Sequence, residues 1–320
     1  MSGADEPKRK KTVMNHGKYP FILSFLAIPT AIYVWLVLLP FAQAFQISFT
    51  NWSGSSPEYD YIGFDNYVNL FRDEQLVLPA LRHTGIILVV LPLVTIAMGL
   101  FFAFMLNVGG RSKQGKIEGV SGAQFFKIVY FFPQVLSVAI IGIIFKQVFA
   151  PSQSGGLITT MLSSIGLSPP TNGFLADQRY VLTAVVAVLV WSAVGFYLVF
   201  FSSAMASIPR ELYEAAIIDG ASRVQTFFRV TLPLLWESVQ TAWIYLCIIA
   251  LDVFVLVYIM TPERGGPDGA SEVVGGVIWK YAFTEGQQAF ASALGVVLFF
   301  IALALAVIAM RVGRRERIEY

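Results

Sequence analysis

The sequence predicts an all-α integral membrane protein with six transmembrane helices and one polar helix-turn-helix between the fourth and fifth. Three observations carry that prediction. Of the 320 residues, 56% are hydrophobic and 13% charged, with a mean hydropathy of +0.68. That charged share is about half of the roughly 25% usual in soluble domains, so most of the chain must be solvated by something other than water. The apolar residues gather in six long stretches nearly free of Asp, Glu, Lys and Arg, each close to the roughly 20 residues that cross a bilayer as helix. The stretch 207–238, between two of the most apolar runs, instead carries charges at helical intervals.

Residues 20–57 contain no Asp, Glu, Lys or Arg, and their most apolar part, 21–45, is the first span. It is too long for a signal-peptide core and lacks a small-residue cleavage site, so a retained helix is expected. The second span is 83–110, the third 128–145 with an extension to 150, and the fourth 180–209. The fifth, 238–260, is interrupted only by Asp252, and the sixth is 289–310. A six-helix transmembrane domain therefore occupies 20–310, flanked by basic tails at 1–19 and 311–320. The first tail, with Lys8-Arg9-Lys10-Lys11, has the composition of a disordered segment. Between the third and fourth spans, 152–170 has room for a short amphipathic helix outside the bilayer. Cys247 is the single cysteine, and His16 and His83 are the two histidines; no disulfide framework, metal site or other bound cofactor is expected.

Orientation follows from charge. With six spans both termini share a side, and the connections on that side (1–19, 108–127, 205–238, 311–320) hold 16 Lys and Arg against 5 on the other. The positive-inside bias places the basic set and both termini in the cytoplasm. The terminal runs, including Arg311, Arg314, Arg315 and Arg317, then act as topology anchors beside anionic membrane lipid rather than as nucleic-acid sites.

The stretch at 207–236 is then a cytoplasmic loop. Pro209 suits a first helical turn, and Glu211 and Glu214 favour the positive end of the helix dipole. Gly220 tolerates the left-handed conformation that ends a helix, Ser222 can cap the next, and Pro233 marks the turn towards the fifth span. Two short helices meeting at a glycine make a compact knob for docking.

Glu214-Ala215-Ala216, Gly220 and Leu232-Pro233 fall at the spacing E-A-A-x3-G-x9-I-x-L-P, with Val230 where the pattern has Ile. This resembles the cytoplasmic signature of the membrane subunits of bacterial ATP-binding-cassette importers. The words "PRELYEAAIIDGAS", "FFRVTLPLL", "YIGFDNYVNLF", "FFPQVLSVAIIGIIFKQVF" and "YIMT" followed by "GGP" are similar to the carbohydrate-importing group related to the maltose transporter. The resemblance implies that the knob inserts into a cleft of a separate ATPase subunit. Glu214 would contact a basic residue there, Ala215 and Ala216 would permit close approach, and Gly220 would set the angle between helices. Val230 and Leu232 belong to the packing side.

No P-loop is present: G-x-x-x-x-G-K-[ST] has no match, and Gly109-Gly110-Arg111-Ser112-Lys113 does not fit. ATP and Mg would be used by a partner, not by this chain. One knob per chain and two ATPase copies imply a second permease subunit. The resemblance adds an extracytoplasmic solute-binding protein that lands on the outer loops.

The transport path is less legible. Asp252 inside a span costs roughly 2.5 to 3.5 kcal/mol on insertion scales, which suits either a carboxylate for substrate hydroxyls or a hydrogen-bond partner at a subunit interface. Trp191, Tyr197, Tyr245 and Tyr258 could stack on sugar faces, although interfacial belts and helix packing are commoner roles. The expected substrate is a mono- or oligosaccharide, with a polyol or glycerol-phosphate headgroup as the next class, and nothing in the sequence decides for or against an amino sugar. A secondary transporter or channel for a small polar solute also fits six spans, but Asp252 alone is thin support for ion coupling. An intramembrane enzyme lacks a nucleophile-base or metal-ligand cluster in the spans.

Overall fold

A computed structural model of the chain describes residues 18–73, 75–108, 119–120 and 122–312. The basic runs at 8–11 and 314–317, and the segment around Gly110, lie outside them. Among the described residues the chain is helical, with one isolated bridge between Thr50 and Tyr61 as its only strand-like pairing.

The first span is a helical run, α1 (Lys18–Tyr33), a π-helical turn and α2 (Leu39–Ile47). It leads through α3 (Asp65–Leu70) to α4 (Val77–Val108). Then come α5 (Ala123–Phe131), α6 (Val138–Val148), the short α7 (Leu157–Ser164) expected in the third connection, and α8 (Val181–Ala206). The polar stretch forms α9 (Arg210–Ile218), α10 (Arg223–Thr226) and α11 (Leu232–Leu234). After it follow α12 (Trp236–Leu251), α13 (Phe254–Met260), α14 (Val274–Trp279) and α15 (Gln288–Val312). Four helical runs are long and apolar enough to cross a membrane on their own, and six are if two bent pairs each count as one.

Two segments expected as continuous helices are broken. The third span bends by 98° between 123–135 and 138–148. Pro133 has no N–H to donate, Leu136 and Ser137 are extended, and the Ser137 hydroxyl caps α6 by accepting from Ala139 N–H at 3.3 Å. The second break is at Asp252 and Val253, which end α12 before α13 begins. A further bend of 73°, just after Pro233, separates the hairpin from α12.

The core lies among α4, α8 and α12. Ile87, Leu91, Val185, Leu198, Phe201, Leu246 and Leu256 are each almost completely buried in it. At Gly195 of α8 an added Cβ would stand 1.7 Å from the Tyr130 carbonyl oxygen. Only a glycine lets the bent α5 segment lie this close to α8.

Long-range hydrogen bonds sort the connections into two ends. At one, Lys127 Nζ donates to Asn107 Oδ1 (3.2 Å) and Asn107 Nδ2 to Ser202 Oγ (2.9 Å), while Phe104 meets Phe227 edge to face at 5.1 Å. At the other, Tyr281 Oη donates to Asp73 Oδ2 (2.6 Å), Ala289 N–H to the Trp52 carbonyl (3.0 Å), and Gln178 to Asp268. Described parts of the 108–127 and 205–238 connections thus meet at one end of the molecule, and described parts of 48–82, 151–179 and 262–289 at the other.

Candidate functional site

The hairpin is built from local signals. Helix α9 begins after Pro209, its N-cap, with Glu211 in the first turn. It ends in a two-bond closure: Ala221 N–H donates to the Ala216 carbonyl and Gly220 N–H to that of Ile217, both at 2.9 Å. Gly220 takes φ +73, a conformation that costs other L-residues about 1–2 kcal/mol. Ser222 and Gln225 then form a reciprocal capping box, with Ser222 N–H donating to Gln225 Oε1 (2.8 Å) and Gln225 N–H to Ser222 Oγ (3.3 Å). These closures fix the angle between the two helices without help from elsewhere in the protein.

One face of the hairpin is anchored and the other is free. Tyr213 and Ala216 are buried, and the Thr231 hydroxyl donates to Tyr213 Oη at 3.4 Å. Phe227 against Phe104 ties the hairpin to α4. Val230 and Leu232 are half-buried on this packing side, and Pro233 lies exposed before the bend. Glu214, Ala215 and Gly220 are exposed. Beside them stand Ile218, 84% exposed, Val224 and Phe228, an apolar tip on an otherwise polar segment. The sequence carries that signal, since Ile218, Val224 and Phe228 fall on the polar side of the pattern.

The proposed path residues are not gathered into one site. Asp252 is exposed at the break between α12 and α13, and its carboxylate has no hydrogen bond or ion pair among the described residues. Thr241, Tyr245, Ile248, Ile249 and Asp252 are all exposed at helical spacing, leaving one face of α12 open. Tyr197 is buried in the core, with Tyr245 and Cys247 near its hydroxyl. Trp191 packs edge to face on Phe145 at 4.9 Å and borders an apolar cavity of about 660 Å³ under the bend at Pro133. Tyr258 is elsewhere, 5.2 Å from Trp279 and under the Arg264 guanidinium.

The arrangement defines a class: a helical membrane subunit, with bent spans and a rigid hairpin displayed at one end. The chain belongs to the family of binding-protein-dependent transport system inner membrane components, which it matches over residues 79–317. It is therefore a multi-pass membrane permease component. It is 41% identical over 309 residues to the diacetylchitobiose uptake system permease protein NgcF of Streptomyces coelicolor, covering 96% of this chain and 86% of that one. It is 32% identical over 292 residues to the multiple sugar-binding transport system permease protein MsmF of Streptococcus mutans, covering 91% and 94%. To the trehalose/maltose transport system permease protein MalF of Thermococcus litoralis it is 28% identical over 295 residues, covering 92% and 94%. Its fold is similar to a chain of a bacterial alginate ABC transporter solved with an alginate pentasaccharide-bound periplasmic protein. There the TM-score is 0.78 at 23% identity, covering 95% and 98%.

Proposed function

We propose that this chain is one of two permease subunits of an ATP-driven importer for a mono- or oligosaccharide, and that it converts closure of two ATPase subunits into alternating access. The observation that carries this is the hairpin: a self-braced knob whose exposed face holds Glu214, Ala215 and an apolar tip. A monomeric transporter has no use for such a surface in water, because exposed clusters of large apolar groups favour association. The relatives' names supply the substrate class, since they are uptake permeases for diacetylchitobiose, multiple sugars and trehalose/maltose. The same reading makes α5 with α6 one span and α12 with α13 another, giving six crossings with the hairpin and both termini cytoplasmic, in keeping with the 16 to 5 distribution of basic residues.

A second permease subunit follows from the number of knobs and is supported by uncovered surface. In its most apolar window the first span, 22–47, buries none of its residues within the chain. The open face of α12 around Tyr245 and Asp252 is a second such surface. An extracytoplasmic binding protein delivers the sugar to the opposite end, and ATP and Mg belong to the ATPase partners.

The test is gentle solubilisation of the native complex through a tag on this chain, with Gly220→Val and Glu214→Lys variants in parallel. An ATPase and a second permease should co-purify with the unaltered chain, and the variants should lose the ATPase while keeping the permease. A chain that purifies alone, or with an ATPase retained in both variants, would overturn the docking role.

A further inference from the structure

At the end of the molecule opposite the hairpin, a cavity of about 520 Å³ opens among Asp73, Gln75 and Leu76, the end of α13, the loop 262–272 and α14. One wall is aromatic: Phe254, Tyr258 and Trp279 pack on one another with ring centroids 5.2 to 6.4 Å apart. The other walls are polar and carry Asp73, Glu263, Arg264, Asp268, Glu272 and Lys280. Asp73 is occupied by Tyr281 Oη and by the N–H groups of Gln75 and Leu76, and Asp268 by Gln178. Glu272 is not so provided for. It is 8% exposed, its Oε1 accepts one N–H, from Val273 at 3.1 Å, and its Oε2 accepts none among the described residues. Arg264 lies over the Tyr258 and Trp279 rings at 4.9 and 5.2 Å, and neither it nor Lys280 forms an ion pair there.

The room for this carboxylate is specified by the backbone. A Cβ at Gly276 would stand 2.0 Å from Glu272 Oε1, and one at Gly265 2.5 Å from Oε2. The loop that brings Arg264 over the rings holds Glu263 and Arg264 at φ 55 and 65, each costing about 1–3 kcal/mol. It is closed by Ser271, whose N–H and Oγ both donate to the Gly265 carbonyl at 2.8 Å. Glu272 Oε2 is open to the cavity: among the described residues the one buried side-chain oxygen without a partner is Thr95 Oγ1. Burial pushes the Glu272 carboxyl up to about 6, against Val273 N–H and Lys280, so at neutral pH it is mostly ionised and accepts only.

From the Glu272 oxygen open to the cavity, Lys280, and the aromatic wall with the Arg264 guanidinium stacked on it, we infer that this cavity is a second carbohydrate subsite, for one neutral sugar ring at the outer mouth of the permease. The inference rests on the sugar-import function proposed above. The mixture of free groups selects the ligand. A simple cation would satisfy Glu272 and leave Arg264 and Lys280 facing it, and an anion would do the reverse. A hydroxyl is donor and acceptor at once, so a polyhydroxylated ring can donate to Glu272 while accepting from Arg264 or Lys280. Its C–H face would lie against the part of the Tyr258 and Trp279 wall that the Arg264 guanidinium leaves open. The subsite is separate from Asp252 and Tyr245, which lie on the open face of α12.

The experiment uses the complete complex in nanodiscs, without binding protein or nucleotide, and reads saturation-transfer NMR with diacetylchitobiose and maltose as probes. The same preparation is assayed for ATP-dependent uptake of both. At least one probe that is transported should give a signal, reduced about tenfold or more by Glu272→Gln and by Trp279→Ala, and several-fold by the exposed Lys280→Met. A transported probe with no signal, or a signal indifferent to all three cavity variants, would overturn the subsite and leave the transport function standing. Absence of ATP-dependent uptake of any sugar in a panel would instead overturn the function on which it rests. If one variant fails to assemble, the other two decide.

Discussion

Replacing Ile218 by alanine tests the apolar tip of the hairpin in isolation. The side chain is 84% exposed, so the fold gains almost nothing from it, and alanine has the higher helix propensity at the end of α9. If the tip is buried in an ATPase cleft, the substitution removes three carbon groups from that contact. At about 0.8 kcal/mol per buried methylene, this comes to about 2 kcal/mol, or roughly 30-fold in affinity. The assay is the dissociation constant between the immobilised permease complex and the purified ATPase subunit, by biolayer interferometry in detergent. Phe283→Ala is the control: it removes an equally exposed apolar group, 73% exposed, from the opposite end and should leave the constant unchanged. A change below threefold for Ile218→Ala, or an equal loss in both variants, would refute the reasoning.

Other expectations follow from single contacts. Gly195→Ala would place a methyl group 1.7 Å from the Tyr130 carbonyl, so α5 must shift or the complex fail to accumulate; the overpacking cost is about 1–3 kcal/mol or more, and an unchanged yield and Tm would contradict it. Glu272, raised from 4.5 to about 6, favours the folded state in its protonated form, with Arg264, Lys280 and the backbone contact to His83 around it. That contribution, about 2 kcal/mol, is fully present below pH 4.5 and is lost as pH rises through 6. Melting curves of the wild type should therefore drop over this window more than those of Glu272→Gln, and parallel curves would sink the claim. Asp252→Asn should change substrate affinity or range while the complex still assembles; failure to assemble with the partner permease would identify Asp252 as an interface residue.

Hydropathy made the helical spans legible because burial in lipid demands long uncharged runs: the boundaries of α8 and α15 lie within three residues of those runs, while α4 starts six residues earlier, at Val77. The hairpin was legible because its devices are local: Gly220 in the left-handed region and the Ser222 box each use residues no more than a few positions apart. Breaks inside apolar runs were harder. Pro133 signals one, but the extended Leu136 and Ser137 follow from the packing of the bend on Gly195, more than fifty residues later. Asp252 stood out as a charge within a span, while its position at a helix end depends on α13 packing against α6. The outer cavity was illegible for the same reason, since Asp73 and Tyr281 meet across 208 positions. Aromatic content decided little, because at 14% of the chain most rings pack on other rings, as Tyr197 and Trp191 do.

The central claim is that ATP hydrolysed by partner subunits drives sugar movement through this permease. It is tested most directly in proteoliposomes that contain the complete complex and its binding protein, by following entry of radiolabelled sugars with ATP supplied on the hairpin side. Uptake should require ATP, persist when proton and sodium gradients are collapsed by ionophores, and vanish with Glu214→Lys. Uptake that proceeds without ATP and stops when an ion gradient is collapsed would contradict the account and make the protein a secondary transporter.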